Sequence, residues 1–568
     1  VDSPPTQFRL LTRHFIGRFL DNDLLSPHEG LQAGLAGALA LFLIPGLTLP
    51  VLLLIKYTFP YASPDLRDMA SWSDKCVFVS TAMVAMAGLA ALQWNTLKPD
   101  RRDYLILLPL PVEASAILWA KVTALLWLFG VFTAAIIGFG PVLFTLVRFA
   151  LEPVTPLELL RWMAAHALAV LASSGFAFFG VLALHGMLLT LVTPSVFRRV
   201  SVVVQSAAIF VVAVVFLMLP LVGASVYPLK RAGGWTPFAM PPLWFVGLYQ
   251  ALGGRNEADW RALAAVAGLS VSVVVVVAVA THLLGFRRHV VSTLESPAGA
   301  LWRPRSWRRF WGRAAAAVTG GRPARHALFA FTLRTLARSP RHRHVLAGFC
   351  GLGCAVSAVS LASSMWYRGA WHPPGAASVM SVQNILLFVL VAAVRFGTAA
   401  PSELQASWVF RLLAPRDARV WRAGLERALI TCGVVPLLAT LLPLNGALLG
   451  WSRAWAHAAA GFALGAALVP IMFFGFARAP FACPVTPGGG GPRARWAFYW
   501  FGFTTFAFGL SRAEAWLLDR PRGLVVLLGM AATALVVTAA IRGRRSAAVV
   551  PEFIEQADWS VQELGLSA

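Results

Sequence analysis

The stretch Asn95–Lys121, NTLKPDRRDYLILLPLPVEASAILWAK, decides how the chain is read. It joins two apolar runs, carries Lys98, Arg101 and Arg102, and is stiffened by Pro109 and Pro111. Proline has no amide donor and restricts the residue before it, so helix cannot run uninterrupted through these positions. Cations in a short connector between apolar runs mark the cytoplasmic side of a membrane. The stretch therefore reads as a compact cytoplasmic knuckle between two spans, shaped to receive a push from a soluble partner.

Composition agrees with a bilayer setting. Hydrophobic residues make up 58% of the 568 residues and charged ones 13%, and the mean hydropathy is +0.71. That is more apolar surface than a soluble fold of this length buries. The formal net charge of +24 would suggest nucleic acid in a soluble protein; here the cations fall in short loops, where they set topology. Five cysteines, odd in number and mostly within apolar runs, imply no disulfide framework. No cleavable leader is expected, because the first apolar run follows about thirty mostly polar residues and is long enough to span.

Outward from the knuckle, the expected fold is an all-α polytopic membrane protein of twelve transmembrane helices in two parallel six-helix halves. Residues 1–30 form an amphipathic N-terminal interface helix, with Phe8, Leu11, Phe15 and Phe19 near one face and Arg9, Arg13 and Arg18 around the others. Residues 31–286 hold the first half, with spans at 31–55, 76–96, 113–148, 159–193, 200–226 and 262–286. The run 113–148 is too long for one simple crossing and is expected to break or tilt near Gly138, Gly140 and Pro141. The proline- and tryptophan-rich segment 227–261 is expected along the outer interface. Residues 287–344 form a basic cytoplasmic connector with its own interface helix, weighted toward anionic lipid rather than nucleic acid. Residues 345–541 hold the second half, with spans at 345–365, 379–400, 425–449, 455–477, 497–511 and 523–541, and 542–568 form a cytoplasmic tail. Under this topology Lys and Arg divide about 32 inside to about 14 outside, placing both termini in the cytoplasm of the inner membrane.

The halves echo each other. Ser26-Pro27 and Ala33-Gly34 before the first span answer Ser339-Pro340 and Ala347-Gly348 before the seventh. Leu107-Leu108 before Pro109 answers Leu412-Leu413 before Pro415 within Trp408–Arg427, WVFRLLAPRDARVWRAGLER, a second knuckle between the eighth and ninth spans. Equal orientation of two six-span halves implies a pseudo-twofold along the membrane normal.

An amphipathic N-terminal helix, two spans, and a short basic connector with an LLPLP turn leading into a span that carries Lys121 resembles the permease subunit of type-2 ABC exporters, here as a duplicated two-half chain. The resemblance implies a coupling contact at each knuckle. Arg101, Arg102, Asp103, Pro109 and Pro111 would make the first, and Arg411, Pro415, Arg416 and Asp417 the second. It also implies separate ATPase subunits, two in number, which would carry ATP and Mg. Many members of the class have one six-span half per chain, so a duplicated chain would form the pathway by itself. No phosphate-binding loop G-x-x-x-x-G-K-[ST] is present and no Gly-Lys pair occurs in the chain, so no cofactor and no ATPase activity are expected here. The run Gly488–Gly491 reads as a flexible loop. The cargo implied is a lipid, peptide or hydrophobic compound.

Other chemistry is sparse. Polar residues within spans are costly and often functional; His166, His185, Gln205, Gln383, Asn384, Asn445 and above all Arg395 qualify. For Arg395 the competing reading is a side chain snorkelling to a nearby interface; for the histidines it is an interhelical hydrogen bond. Cys350 and Cys354, one turn apart, read as small buried apolar residues rather than zinc ligands. Gly461 and Gly465 read as packing only. A major-facilitator-like secondary transporter shares the twelve-span layout. Against it, the loop after the second span lacks that class's glycine-rich pattern, and no acid from Ser296 to Ser402 offers a buried proton site. A lipid-linked glycosyl transferase or polymerase would need acidic or histidine-rich outer loops, where Glu257 and Asp259 stand among Lys230, Arg231, Arg255 and Arg261.

Overall fold

A computed structural model describes residues 4–20, 39, 42–44, 46–53, 56, 64–94, 113–151, 155–255, 257–295, 315–367, 370–398, 418–474, 480–481 and 499–545. The chain divides into two compact units, Val1–Gly299 and Ala300–Ala568. Among the described residues, ten helices are long and apolar enough to cross a bilayer. The protein is thus a multi-pass helical membrane protein. Its only described strands are a two-residue hairpin pairing Trp366 with Trp371 and Tyr367 with Ala370.

In the first unit the helices are α1 (Pro4–Leu20), α2 (Pro64–Leu92), α3 (Ala114–Ile137), α4 (Gly140–Leu151), α5 (Pro156–Leu191), α6 (Pro194–Leu217), α7 (Pro241–Leu252) and α8 (Ala258–Glu295). Two short helices, Leu219–Ala224 and Val226–Ala232, lie between α6 and α7. The break expected in 113–148 falls at Gly138 and Phe139, between α3 and α4. Thr155 and Glu158 close a capping box at the start of α5, with Pro156 in the first turn, where its missing donor costs nothing. The centre of the unit is α2, the most buried of its spanning helices, followed by α5, which packs on both α2 and α8.

The second unit contains α9 (Pro323–Arg338), α10 (Pro340–Met365), α11 (Ala376–Gly397), α12 (Ala418–Leu429), α13 (Val435–Leu449), α14 (Trp451–Met472), α15 (Leu510–Leu518) and α16 (Gly523–Arg545). A π-turn at Ile430–Val434 joins α12 to α13, and another at Thr505–Gly509 leads into α15. Again the second spanning helix, α11, is the most buried, and α14 is next and packs on α11 and α16. The faces turned away from these cores are apolar, with Leu269, Val273 and Val276 on α8 and Val525 and Val536 on α16 at least half exposed. Such stripes suit lipid.

The spans expected at 31–55 and 497–511 lie partly outside the described residues: of the first, the apolar helix Phe42–Leu53 is described, and of the second, helix over 499–518. Other expectations change. The segment 227–261 does not simply follow a surface. Its helix α7 is inserted among α2, α5 and α8, burying Leu243, Phe245, Val246 and Tyr249. Prolines at 241 and 242 start that helix rather than prevent it, because they occupy its first turn. Cys350 and Cys354 are exposed, not buried. Finally, the face of α1 carrying Leu11, Phe15 and Phe19 is buried in a core that includes Ala120, Ala124 and Leu128 of α3, not turned to lipid.

Candidate functional site

The knuckle residues Arg101, Arg102, Asp103, Pro109, Pro111, Arg411, Pro415, Arg416 and Asp417 lie outside the described residues. What flanks them is described. In the first unit α1 packs on α3, the helix that leaves the first knuckle, and Gln93 Nε2 at the end of α2 donates to Phe19 O at 2.8 Å. In the second unit α9 packs on α12, which leaves the second knuckle. There Gly424 faces Leu328 and the backbone at Arg325 and Phe329 so closely that a Cβ would not fit. Arg427 of α12 donates to Val318 O at 3.0 Å. Each unit thus ties the helix before its first span to the helix after its knuckle.

At the opposite end of each unit, roughly 20–27 Å along the second spanning helix by a rise of about 1.5 Å per residue, lies a buried polar cluster. In the second unit His457 of α14 and Glu514 of α15 are both 0% exposed, with Nδ1 2.6 Å from Oε1. Burying either charge alone would be expensive, so each supplies what the other needs. Asn384 of α11 donates from Nδ2 to Ser511 Oγ at 2.9 Å and Glu514 Oε2 at 3.3 Å. Gln383 Nε2 donates to His457 O at 3.0 Å, and Asn445 Nδ2 to Gln383 Oε1 at 3.3 Å. Gly461 gives Gln383 its place, since a Cβ there would overlap the amide. Among the described residues, His457 Nε2 and Asn384 Oδ1 have no hydrogen-bond partner. The sequence reading named Gln383, Asn384 and Asn445 but missed His457 and Glu514.

The first unit places a cluster of different chemistry at the same element positions. Lys75 of α2, only 3% exposed, donates from Nζ to Gln250 Oε1 of α7 at 3.1 Å and lies 4.7 Å from the Tyr249 ring centre. His166 of α5, also buried, has Nδ1 3.2 Å from the Tyr249 hydroxyl. In both units, then, the second span, a histidine on the fourth, and the helical segment just before the last span meet. Beside the first cluster is a cavity of about 190 Å³ lined by Lys75, Thr145, Trp162, Tyr249, Gln250 and the turn Gly253–Arg255. Among the described residues, no acidic side chain lines it. Asp74 faces Lys56 instead, with Nζ 2.7 Å from Oδ1.

The remaining sequence candidates are dispersed. Arg395 stands in the last turn of α11, half-buried, donating from Nε to Met472 O at 3.3 Å, where α14 ends; a cation at helix C-termini is favourable. His185 and His282 stack in the first unit with Nδ1 and Nε2 3.5 Å apart. Gln205 Nε2 donates to Ala91 O at 3.0 Å. These are interhelical fastenings. No group of three or more metal-ligating side chains occurs among the described residues.

No family model, curated protein or solved structure matches the chain.

Proposed function

We propose that this chain is the membrane-spanning permease of an ATP-driven exporter, moved by separate ATPase subunits that dock on its two knuckles. The observation that carries this reading is the repeated fastening of α1 to α3 and of α9 to α12. A partner pressing on a knuckle would displace the helix leaving it together with the amphipathic helix clamped to it, so force would enter each unit at two elements rather than through a loose loop. The twin polar clusters at the far ends of α2 and α11 are where such displacement would be felt, because hydrogen-bonded groups in a dry interior have few alternative partners. In this reading the two units form the pathway, both termini are cytoplasmic, and the cargo is lipid-like, peptidic or hydrophobic.

Glu514 favours a second reading. Residues 296–402 carry no acid, but a buried acid stands at 514, paired with His457. A buried carboxylate beside an imidazole is the kind of group that proton coupling through the second unit would need. Sidedness tests both the topology and the docking. In a cysteine-free background, a cysteine at Ala414 should resist an impermeant thiol reagent in intact cells and react after permeabilisation. Reaction in intact cells would place the second knuckle outside and end the docking proposal.

A further inference from the structure

In the second unit α14 and the end of α15 are joined by two side-chain pairs, like successive rungs. Arg453 Nη2 lies 2.9 Å from Asp519 Oδ1, with both side chains more than half exposed. One turn further into α14 is His457, buried against Glu514. The exposed face of α14 changes character between the rungs. At its start Trp451, Ser452, Arg453 and Trp455 are exposed; past them the exposed positions are Ala459, Phe462 and Ile471, all apolar. The turn from α15 to α16 changes in the same way. Trp516, Asp519, Arg520 and Arg522 are exposed, and the first exposed residues of α16 are Val525 and Val526. Arg520 stacks on Trp516, its Cζ 3.4 Å from the ring centre.

Tryptophan and arginine followed by a wholly apolar exposed face mark the level of lipid headgroups. The lengths agree with this placement. From Trp455 to the end of α14 at Met472 the helix runs about 26 Å at about 1.5 Å per residue, close to a hydrocarbon core of about 30 Å. Arg512 is exposed one turn inside Trp516, where its long stem lets the guanidinium reach the headgroups. His457 follows Trp455 by two residues and Glu514 precedes Trp516 by two, so the pair lies about 3 Å inside this level and about 10 Å from the middle of the span.

We infer that the headgroup layer of the bilayer meets the second unit at Trp455 and Trp516, at the end away from Arg395, and that the His457–Glu514 pair is entered from the water at that boundary past the Arg453–Asp519 pair. The inference rests on the second unit alone and needs no ATPase, so its failure and that of the driven-permease reading are distinguishable.

Depth is tested with nitroxide labels on the full chain in a cysteine-free background, reconstituted in phosphatidylcholine vesicles, from collisions with oxygen and with a water-soluble nickel chelate. The label at Trp451→Cys should meet the chelate, that at Phe462→Cys only oxygen, and that at Trp455→Cys should fall between them. A label at 455 as shielded from the chelate as the one at 462, or a label at 462 open to it, would overturn the boundary. Entry is tested by modifying Glu514 with a water-soluble carbodiimide and locating the adduct by mass spectrometry. Arg453→Gln should raise modification severalfold, and Arg512→Gln, which leaves the outer pair intact, should not change it. Failure of the reagent to reach Glu514 in Arg453→Gln, or an equal rise in both variants, would overturn entry past the outer pair.

Discussion

Glu514 Oε1 lies 2.6 Å from His457 Nδ1, and neither side chain reaches solvent. A residue in the middle of α15 and a residue two turns into α14 thereby form a single buried pair inside the second unit's core. Glu514→Leu should cost about 3–5 kcal/mol, the scale of leaving one member of a buried pair uncompensated. The double variant with His457→Leu should recover much of that loss. Thermal unfolding of the four proteins in detergent gives the coupling; additive losses would show that the pair does not act as one.

Gly461 makes room for Gln383, whose amide links α14 to Asn445 of α13. Gly461→Ala should therefore destabilise by about 1–3 kcal/mol, the usual cost of overpacking. Gly529→Ala on α16 meets nothing within 4 Å and should be neutral or slightly stabilising by relief of glycine's helix penalty. Equal effects from the two changes would contradict the packing described.

Gly424 sets the distance between α12 and α9. Gly424→Val should loosen α9, which limited proteolysis would register as faster cleavage near residues 315–338. If the driven-permease reading holds, this variant should also reduce partner-stimulated transport while both ends of α11 keep their packing. Unchanged cleavage would remove the clamp from the account.

Lys230 Nζ sits 4.3 Å from the Trp72 ring centre and 4.2 Å from that of Trp260, with Glu257 Oε2 2.6 Å away. Lys230→Gln should cost about 1–2 kcal/mol, since the cation–π sandwich is partly desolvated. Glu257→Gln should cost less than about 1 kcal/mol, because that carboxylate is half exposed and a surface ion pair contributes little. Tryptophan fluorescence during unfolding separates the two.

The spans were the most legible feature of the sequence. Runs such as 159–193 and 262–286 reappear as helices near the same bounds because lipid-facing residues must be apolar whatever the fold. The buried polar clusters were less legible for the same reason. Glu514 and Arg512 ended the expected span at 511, and Asp74 and Lys75 delayed the second to 76, since averaged hydropathy treats a charge as a loop even where a partner satisfies it inside the bundle. Gln383, Asn384 and Asn445 were found because amides interrupt an apolar run less. Their partners, His457 and Glu514, are distant in the chain, and only packing brings them together. The proline pair at 241–242 misled in a similar way: it begins a buried helix, a distinction that depends on what precedes it. The two knuckles rest on sequence alone.

The most direct measurement is purification of the chain from its native host in mild detergent, comparing wild type with a variant in which Arg101, Arg102, Arg411 and Arg416 are all glutamate. The account predicts a P-loop ATPase in fixed ratio with the wild-type chain and its loss from the variant, with the variant otherwise folded. A wild-type chain that purifies alone, without ATP hydrolysis, and moves its cargo on a proton gradient abolished by Glu514→Gln would contradict it and establish the proton-coupled reading.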